Sequence, residues 1–121
     1  MSARGHRRQD AGMATAELAM AIPAVVLVLA LCLTAMALGI DQVRCVDAAR
    51  VGARAASRGE PAQVVRELAE GRAPTGSTVT VEAGPATVTV AVVAPPRVRL
   101  LPAVPAAAAS AVAVWEPGAG P

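Results

Sequence analysis

The chain reads as a membrane-anchored α+β protein, and three changes of pattern along its 121 residues lead to that class. An uncharged apolar run extends from Leu18 to Ile40. A proline-free stretch rich in Ala and Arg follows, from Asp41 to Ser57. Beyond Thr78 the hydrophobic period becomes two. Together they predict one long N-terminal helix, transmembrane and then amphipathic, a short second helix, and a small antiparallel β hairpin or sheet.

Each element has its own justification. As a helix, the 23 residues from Leu18 to Ile40 cover about 35 Å, against a hydrocarbon core of about 30 Å. Pro23 falls inside this span, where it removes one backbone hydrogen bond and kinks the helix, a defect that membrane helices tolerate. Past the span, Asp41, Arg44, Asp47 and Arg50 alternate in sign at i,i+3 spacing, which favours weak pairing along a solvated face. Val43, Val46, Ala49, Ala53 and Ala56 form a narrow stripe of small residues at helical spacing. Such a stripe lets the helix pack closely on the rest of its own chain or on a neighbour's helix. A continuous helix over residues 13–57 would be about 67 Å long.

Gly59 is placed to end that helix, and Pro61 suits the first turn of the next. Pro61–Glu70 carries Val64, Val65, Leu68 and Ala69 on one face, and Gly71 stops it. Arg72–Ser77 is a turn-rich break. Thr78–Glu82 and Thr87–Val90 then alternate polar and β-branched residues around Ala83-Gly84-Pro85-Ala86, the pattern of a hairpin with a longer loop. Val98–Leu101 is a candidate edge piece between prolines. Ala107–Trp115 is Ala-rich enough for helix by propensity, but Ala111–Trp115 has the alternation of a closing strand. Residues 58–116 are thus expected to form a small α+β domain beyond the span, and residues 117–121 a disordered tail.

Composition narrows the function. Aromatic residues are 1% of the chain while apolar residues are 55%, so the core outside the membrane is built of small aliphatic side chains. Such a core buries little area per residue, and partners or the membrane are expected to complete its stability. The net charge of +2 resides in residues 1–12, because residues 13–121 balance eight arginines against eight acids. The only aromatic residue is Trp115, which leaves no stacking platform between positive charges, and nucleic acid is excluded as a partner.

No catalytic constellation is present. The single His6 lies in the basic N-terminal stretch ahead of the apolar run, and Ser57, Ser77 and Ser110 have no base at hand. One histidine and two distant cysteines do not make a metal site. No enzyme activity, cofactor or metal is expected. Cys32 and Cys45 would be about 20 Å apart on one helix, which forbids a bridge between them. Cys32 reads as a small residue facing lipid or helix, and Cys45 as the candidate for an interchain disulfide.

The first forty residues admit three readings. A secretory signal peptide fits the basic start and the small residues Ala35-Met36-Ala37, with cleavage after Ala37, but its apolar region overshoots the usual length of about 7–15 residues. An unprocessed signal anchor fits the span but gives Glu17 no role. In the third, residues 1–12 are a short hydrophilic leader and Gly12-Met13-Ala14-Thr15-Ala16-Glu17 resembles a type IV prepilin processing site. There a peptidase cuts between Gly12 and Met13, and the glutamate becomes the fifth mature residue. An acid at the mouth of a span is costly and so calls for a function. Charge counts do not fix the orientation: Arg4, Arg7 and Arg8 precede the span, and Arg44, Arg50, Arg54 and Arg58 follow it. The processing-site resemblance puts the leader in the cytoplasm and the C-terminal domain outside.

The whole plan resembles the TadE family of minor pilins from tight-adherence (Flp-type) pilus systems. The residues that carry the likeness are Gly12 to Glu17, the span with Pro23, and Arg44-Cys45-Val46-Asp47-Ala48-Ala49-Arg50 continuing through Arg54 to Pro61. The likeness covers residues 10–61, and the β-rich remainder matches in style only. It implies a minor pilin or pseudopilin of the inner membrane, active in pilus assembly or fibre initiation. The implied partners are a prepilin peptidase, TadE/TadF-like or Flp pilin subunits contacted through the helix over 13–57, the inner-membrane assembly platform and membrane lipid. It also implies that Glu17 pairs with the N-terminal amine of a neighbouring subunit and sets axial register. The alternative is a small exported binding protein, anchored in the membrane or released after Ala37 and unrelated to pili.

Overall fold

The computed structural model describes residues 3–121, with side chains described from Ala11 onward. The elements run α1 (Ala3–Ser57), α2 (Ala62–Glu70), β1 (Thr78–Ala83), β2 (Thr87–Val93) and β3 (Ala108–Val114). This is an α+β chain with a long N-terminal apolar helix, a short second helix and a three-stranded antiparallel sheet in the order β1-β2-β3. Two compact units divide it, one ending at Met36 and the other spanning Ala37–Pro121.

The first unit is apolar helix. Leu18, Met20, Ile22, Val25, Leu29 and Leu33 are all more than half exposed, and no described residue of the chain covers them. The helix is long and apolar enough to cross a membrane. Pro23 lies within α1. The hydroxyls of Thr15 and Thr34 donate to the carbonyls of Ala11 and Ala30, each at 2.8 Å, so both polar groups are satisfied inside the helix. Backbone helix begins at Ala3, ten residues before the expected start at Met13. No proline lies between these positions to interrupt it. The side chains of Arg4, His6, Arg7, Arg8 and Asp10 lie outside the described residues.

The second unit has two layers. The inner face of the sheet presents Val79 from β1, Val88, Val90 and Val92 from β2, and Ala109, Ala111 and Ala113 from β3, all buried or half-buried. Its outer face carries Thr78, Thr80, Thr87, Thr89 and Ser110, the alternation of an antiparallel sheet with one solvated side. Over the inner face lie Cys45, Ala48, Ala49, Ala53, Ala55 and Ala56 of α1 and Val65 and Ala69 of α2. Gly52 marks the closest approach: a Cβ built there would stand 2.9 Å from Cγ1 of Val90 and 3.4 Å from Cβ of Ala69. The stripe expected on α1 is therefore rotated. Ala49, Ala53 and Ala56 are buried, but Val43 is 69% exposed. Small size, more than hydrophobicity, selects the face that lies on the valines.

Gly59, with φ of +81°, closes α1, and Pro61 sits at the position before α2. Trp115 fastens the hairpin: its indole N–H donates to Gly84 O at 2.9 Å, and its backbone N–H donates to Ala86 O. One stretch differs from expectation. Val98–Leu101 adds no strand. It forms consecutive turns, with Leu101 N–H donating to Val98 O and Val104 N–H to Leu101 O, because Pro95, Pro96, Pro102 and Pro105 leave few donors for a ladder. The chain passes close to the end of α1 again near its last residues. Glu116 N–H donates to Ser57 O at 2.9 Å, Gly118 adopts φ of +87°, and Ala119 comes within van der Waals reach of Gly59.

Candidate functional site

The segment from Gly12 to Glu17 is helical and exposed. A side chain at Gly12 would meet no described atom within 4 Å, as at Gly39. The fold gives no packing reason for a glycine at this position, and glycine inside a helix costs about 1 kcal/mol relative to alanine. Met13 is 66% exposed beside it. Glu17 is exposed and makes no hydrogen bond or ion pair to a described side chain. Directly after it come the uncovered apolar residues from Leu18 onward. A carboxylate and a lipophilic helix face thus stand side by side, both open to outside partners.

The second unit holds a polar cluster that the sequence did not signal. Asp41 is 4% exposed, and Arg97 grips it with Nε to Oδ2 at 2.5 Å and Nη2 to Oδ1 at 2.8 Å. Such two-point pairing is the strong form of a charged hydrogen bond. The Arg97 hydrogen bond holds the Asp41 carboxyl below the ordinary aspartate range; burial opposes this, and the charges of Arg97 and Arg44 assist it. Asp47, two turns further along α1, pairs with Arg72 at 3.1 Å across the exposed surface. The weak i,i+3 ladder expected along α1 is thus replaced by ties to distant loops. Arg97 lies 56 residues from Asp41, beyond the reach of helical spacing.

Replacing Asp41 with Ala should lower the stability of the second unit by about 1–2 kcal/mol, moderated because Arg97 is half-exposed and screened. The contribution has a definite pH dependence. The folded pKa is depressed, so the stabilisation is complete above the unfolded aspartate value of about 3.9 and disappears as pH falls through the folded value. Unfolding followed by Trp115 fluorescence at neutral and acid pH checks this: the two proteins should differ at pH 7 and converge in acid.

Cys45 is fully buried, and its thiol faces Ala107 O at 3.7 Å. Burial pushes its pKa up, which keeps it a thiol. An interchain disulfide at Cys45 therefore requires the unit to open. Cys32 is exposed on the apolar helix. Ser57 and Ser77 donate to Arg54 O and Pro74 O, as loop and helix-end caps. Among the described residues no group of three His, Cys, Asp or Glu side chains gathers in a metal-binding arrangement.

No family profile and no solved structure matches the chain. A similar protein is apoptosis inhibitor Rv3655c of Mycobacterium tuberculosis (strain ATCC 25618 / H37Rv). It is 41% identical over 102 residues, which cover 84% of this chain and 78% of that protein.

Proposed function

The chain belongs to the family of the Mycobacterium tuberculosis protein Rv3655c, and for a member with this architecture we propose the role of a TadE-like minor pilin or pseudopilin. In this reading a prepilin peptidase removes residues 1–12, and the mature chain stays in the cytoplasmic membrane through residues 18–40, its C-terminal domain outside. It takes part in assembling or initiating a Flp-type fibre as a structural subunit and not as a catalyst. Other TadE/TadF-like or Flp pilin subunits, the assembly platform and lipid are its partners.

The observation that carries this reading is the pairing of an exposed Glu17, free of described partners, with the uncovered apolar helix that follows it. An exposed apolar surface of this extent marks a membrane or protein contact, and an acid at its mouth needs a cation once lipid or neighbouring helices close around it. The open space around Gly12 supports the same reading, because a site cut by a peptidase has to be free of packing.

A second reading draws on two specific observations. The relative bears the name apoptosis inhibitor, and the second compact unit begins at Ala37, one residue before the N-terminus that signal peptidase would leave. Here the product is an exported binding protein. The N-terminal sequence and intact mass of the protein from native membranes decide between them. The pilin reading expects Met13 as N-terminus, and Gly12→Arg should abolish that cleavage. A start at Leu38 would replace it with the exported protein. An intact Met1 in cells with an active prepilin peptidase would leave a plain membrane anchor.

A further inference from the structure

The loop that joins β2 to β3 leaves the sheet at one defined end, and three residues of α1 mark it. Gln42 Nε2 donates to Ala108 O at 2.8 Å, and Ala108 N–H donates to Gln42 Oε1 at 3.2 Å. The Cys45 thiol faces Ala107 O at 3.7 Å, and Arg97, from within the loop, holds Asp41. Past the other end of β3, Glu116 N–H donates to Ser57 O. The sheet therefore extends along α1 from Gln42 to Ser57, and the loop lies where α1 runs back into the apolar stretch. Asp41 is the first residue after that stretch. The last apolar turn, residues 37–40, belongs to the same compact unit as the loop.

Val98 and Val104 of this loop are half-buried, but Leu100 is 93% exposed and Leu101 55%. A slack loop could turn its leucines back onto the sheet. This one is stiffened by Pro95, Pro96, Pro102 and Pro105 and closed by two turns, with Leu101 N–H donating to Val98 O and Val104 N–H to Leu101 O. The leucines are thus held outward. Arg99 stands beside them, and Arg44 lines a cleft with Asp41, Pro95, Pro96 and Arg97. Arg44 and Arg99 form no ion pair among the described residues. Leucines flanked by arginines, at the level where an apolar helix ends, suit a bilayer interface. Acyl chains take the leucines, and lipid phosphates take the guanidinium groups.

We propose that the loop over residues 97–104 is a second membrane contact, which seats Leu100 and Leu101 among the acyl chains beside the end of the span, with Arg99 and Arg44 at the lipid phosphates. The proposal rests on the reading of residues 18–40 as a membrane span, and it holds whether or not the chain is cut after Gly12. Lipid is the occupant because the tie from Arg97 to Asp41 sets the loop next to the apolar stretch. A helix that spans brings the loop to the bilayer in the same step, so the second contact is intramolecular in effect and needs little affinity of its own. A single helix would leave the second unit free to tilt and turn about its anchor. A contact offset from the helix axis fixes how that unit lies on the membrane and which side it presents to the space beyond.

The test uses the full chain in vesicles of phosphatidylcholine and phosphatidylglycerol. In a Cys32→Ala background, with Cys45 buried, one added thiol carries an environment-sensitive fluorophore, and lipids brominated along the acyl chain quench it according to depth. A label at Val28→Cys, inside the apolar stretch, should be quenched strongly, and one at Leu100→Cys clearly. One at Glu60→Cys, beyond the far end of α1, should not be quenched. Adding Leu101→Asp should weaken the quenching at Leu100→Cys several-fold while Trp115 emission stays unchanged; an unaltered depth would take the role from the leucines and overturn the proposal. Quenching at Val28→Cys with none at Leu100→Cys would also overturn it and leave the span in place. No quenching at either position would remove the span reading, and the proposal with it. A label at Leu100→Cys that is shielded from aqueous iodide yet untouched by the brominated lipids would overturn it in favour of a protein partner.

Discussion

Replacing Gly52 with Val should destabilise the second unit by about 2–3 kcal/mol, and shortening Val90 should recover part of that loss. The cause is the close approach of α1 to β2. A Cβ at position 52 falls 2.9 Å from Cγ1 of Val90, nearer than carbon atoms pack, and touches Cβ of Ala69 at 3.4 Å. Val90 is fully buried and β-branched, so its side-chain torsion is restricted and its neighbours leave its methyl little room to swing away. Either the helix lifts off the sheet or the strand bends, and both open the contacts of Cys45, Ala48 and Ala49. Gly52→Ala meets the same clash with a smaller group. Its gain in helix propensity, about 1 kcal/mol, offsets part of the strain, so its net loss should be the smaller of the two. In Gly52→Val with Val90→Ala, the removed methyl groups leave room for the new ones, and the double variant should be more stable than the sum of the singles predicts. Chemical unfolding of the full chain, read through Trp115, measures all four. Strict additivity would mean that the two residues are not in contact.

Gly52 also shows where the sequence was readable and where it was not. The helices, the hairpin and the closing strand follow from local pattern. The break-free stretch to Ser57, the apolar face around Val65 and Ala69, and the alternation in Thr78–Val90 and Ala111–Trp115 each identify an element from its own residues. The choice of face on α1 is different. A hydrophobic stripe pointed to Val43 and Val46, whereas the valine-lined sheet requires the smallest groups, so Cys45, Ala48, Gly52 and Ala55 lie inside and Val43 stays out. Size complementarity belongs to a pair of surfaces and leaves no mark on one helix read alone. Asp41 was hidden for a related reason. Its spacing to Arg44 and Asp47 suggested a solvated face, but the partner that allows its burial is Arg97, held in a proline-rich stretch remote in sequence. The Gly12–Glu17 segment is the reverse case. It is plain as a motif, yet no described residue of the fold packs on Gly12 or pairs with Glu17.

In the pilin reading, Glu17→Ala is the variant with the largest expected effect on function. The variant should be cut after Gly12 and accumulate in the membrane with Met13 as its N-terminus, and it should be absent from fibres sheared from the cells. In that reading, Glu17 of a lone subunit sits at the mouth of the span and can reach water or headgroups. There it costs less than the roughly 2.5–3.5 kcal/mol of an acid at the bilayer centre. Once apolar helices of neighbouring subunits surround it, that escape is closed, and an unpaired carboxylate becomes prohibitive unless a cation meets it. In the pilin reading, cleavage would supply such a cation in the new amine of Met13, one helical turn from Glu17. A neighbour can satisfy the pair only in axial registers that bring amine and carboxylate together, so the charge selects register rather than adding bulk affinity. Alanine removes the penalty and the selection together, and the ordered fibre is lost although the helix remains apolar. The uncut Gly12→Arg chain should fail in the same way, because it keeps the carboxylate but never forms the amine. Glu17→Asp, with the charge retained on a shorter stem, should assemble in part. Fibres containing Glu17→Ala at the wild-type level would remove the register role from Glu17, and processing at Gly12 would then need another explanation.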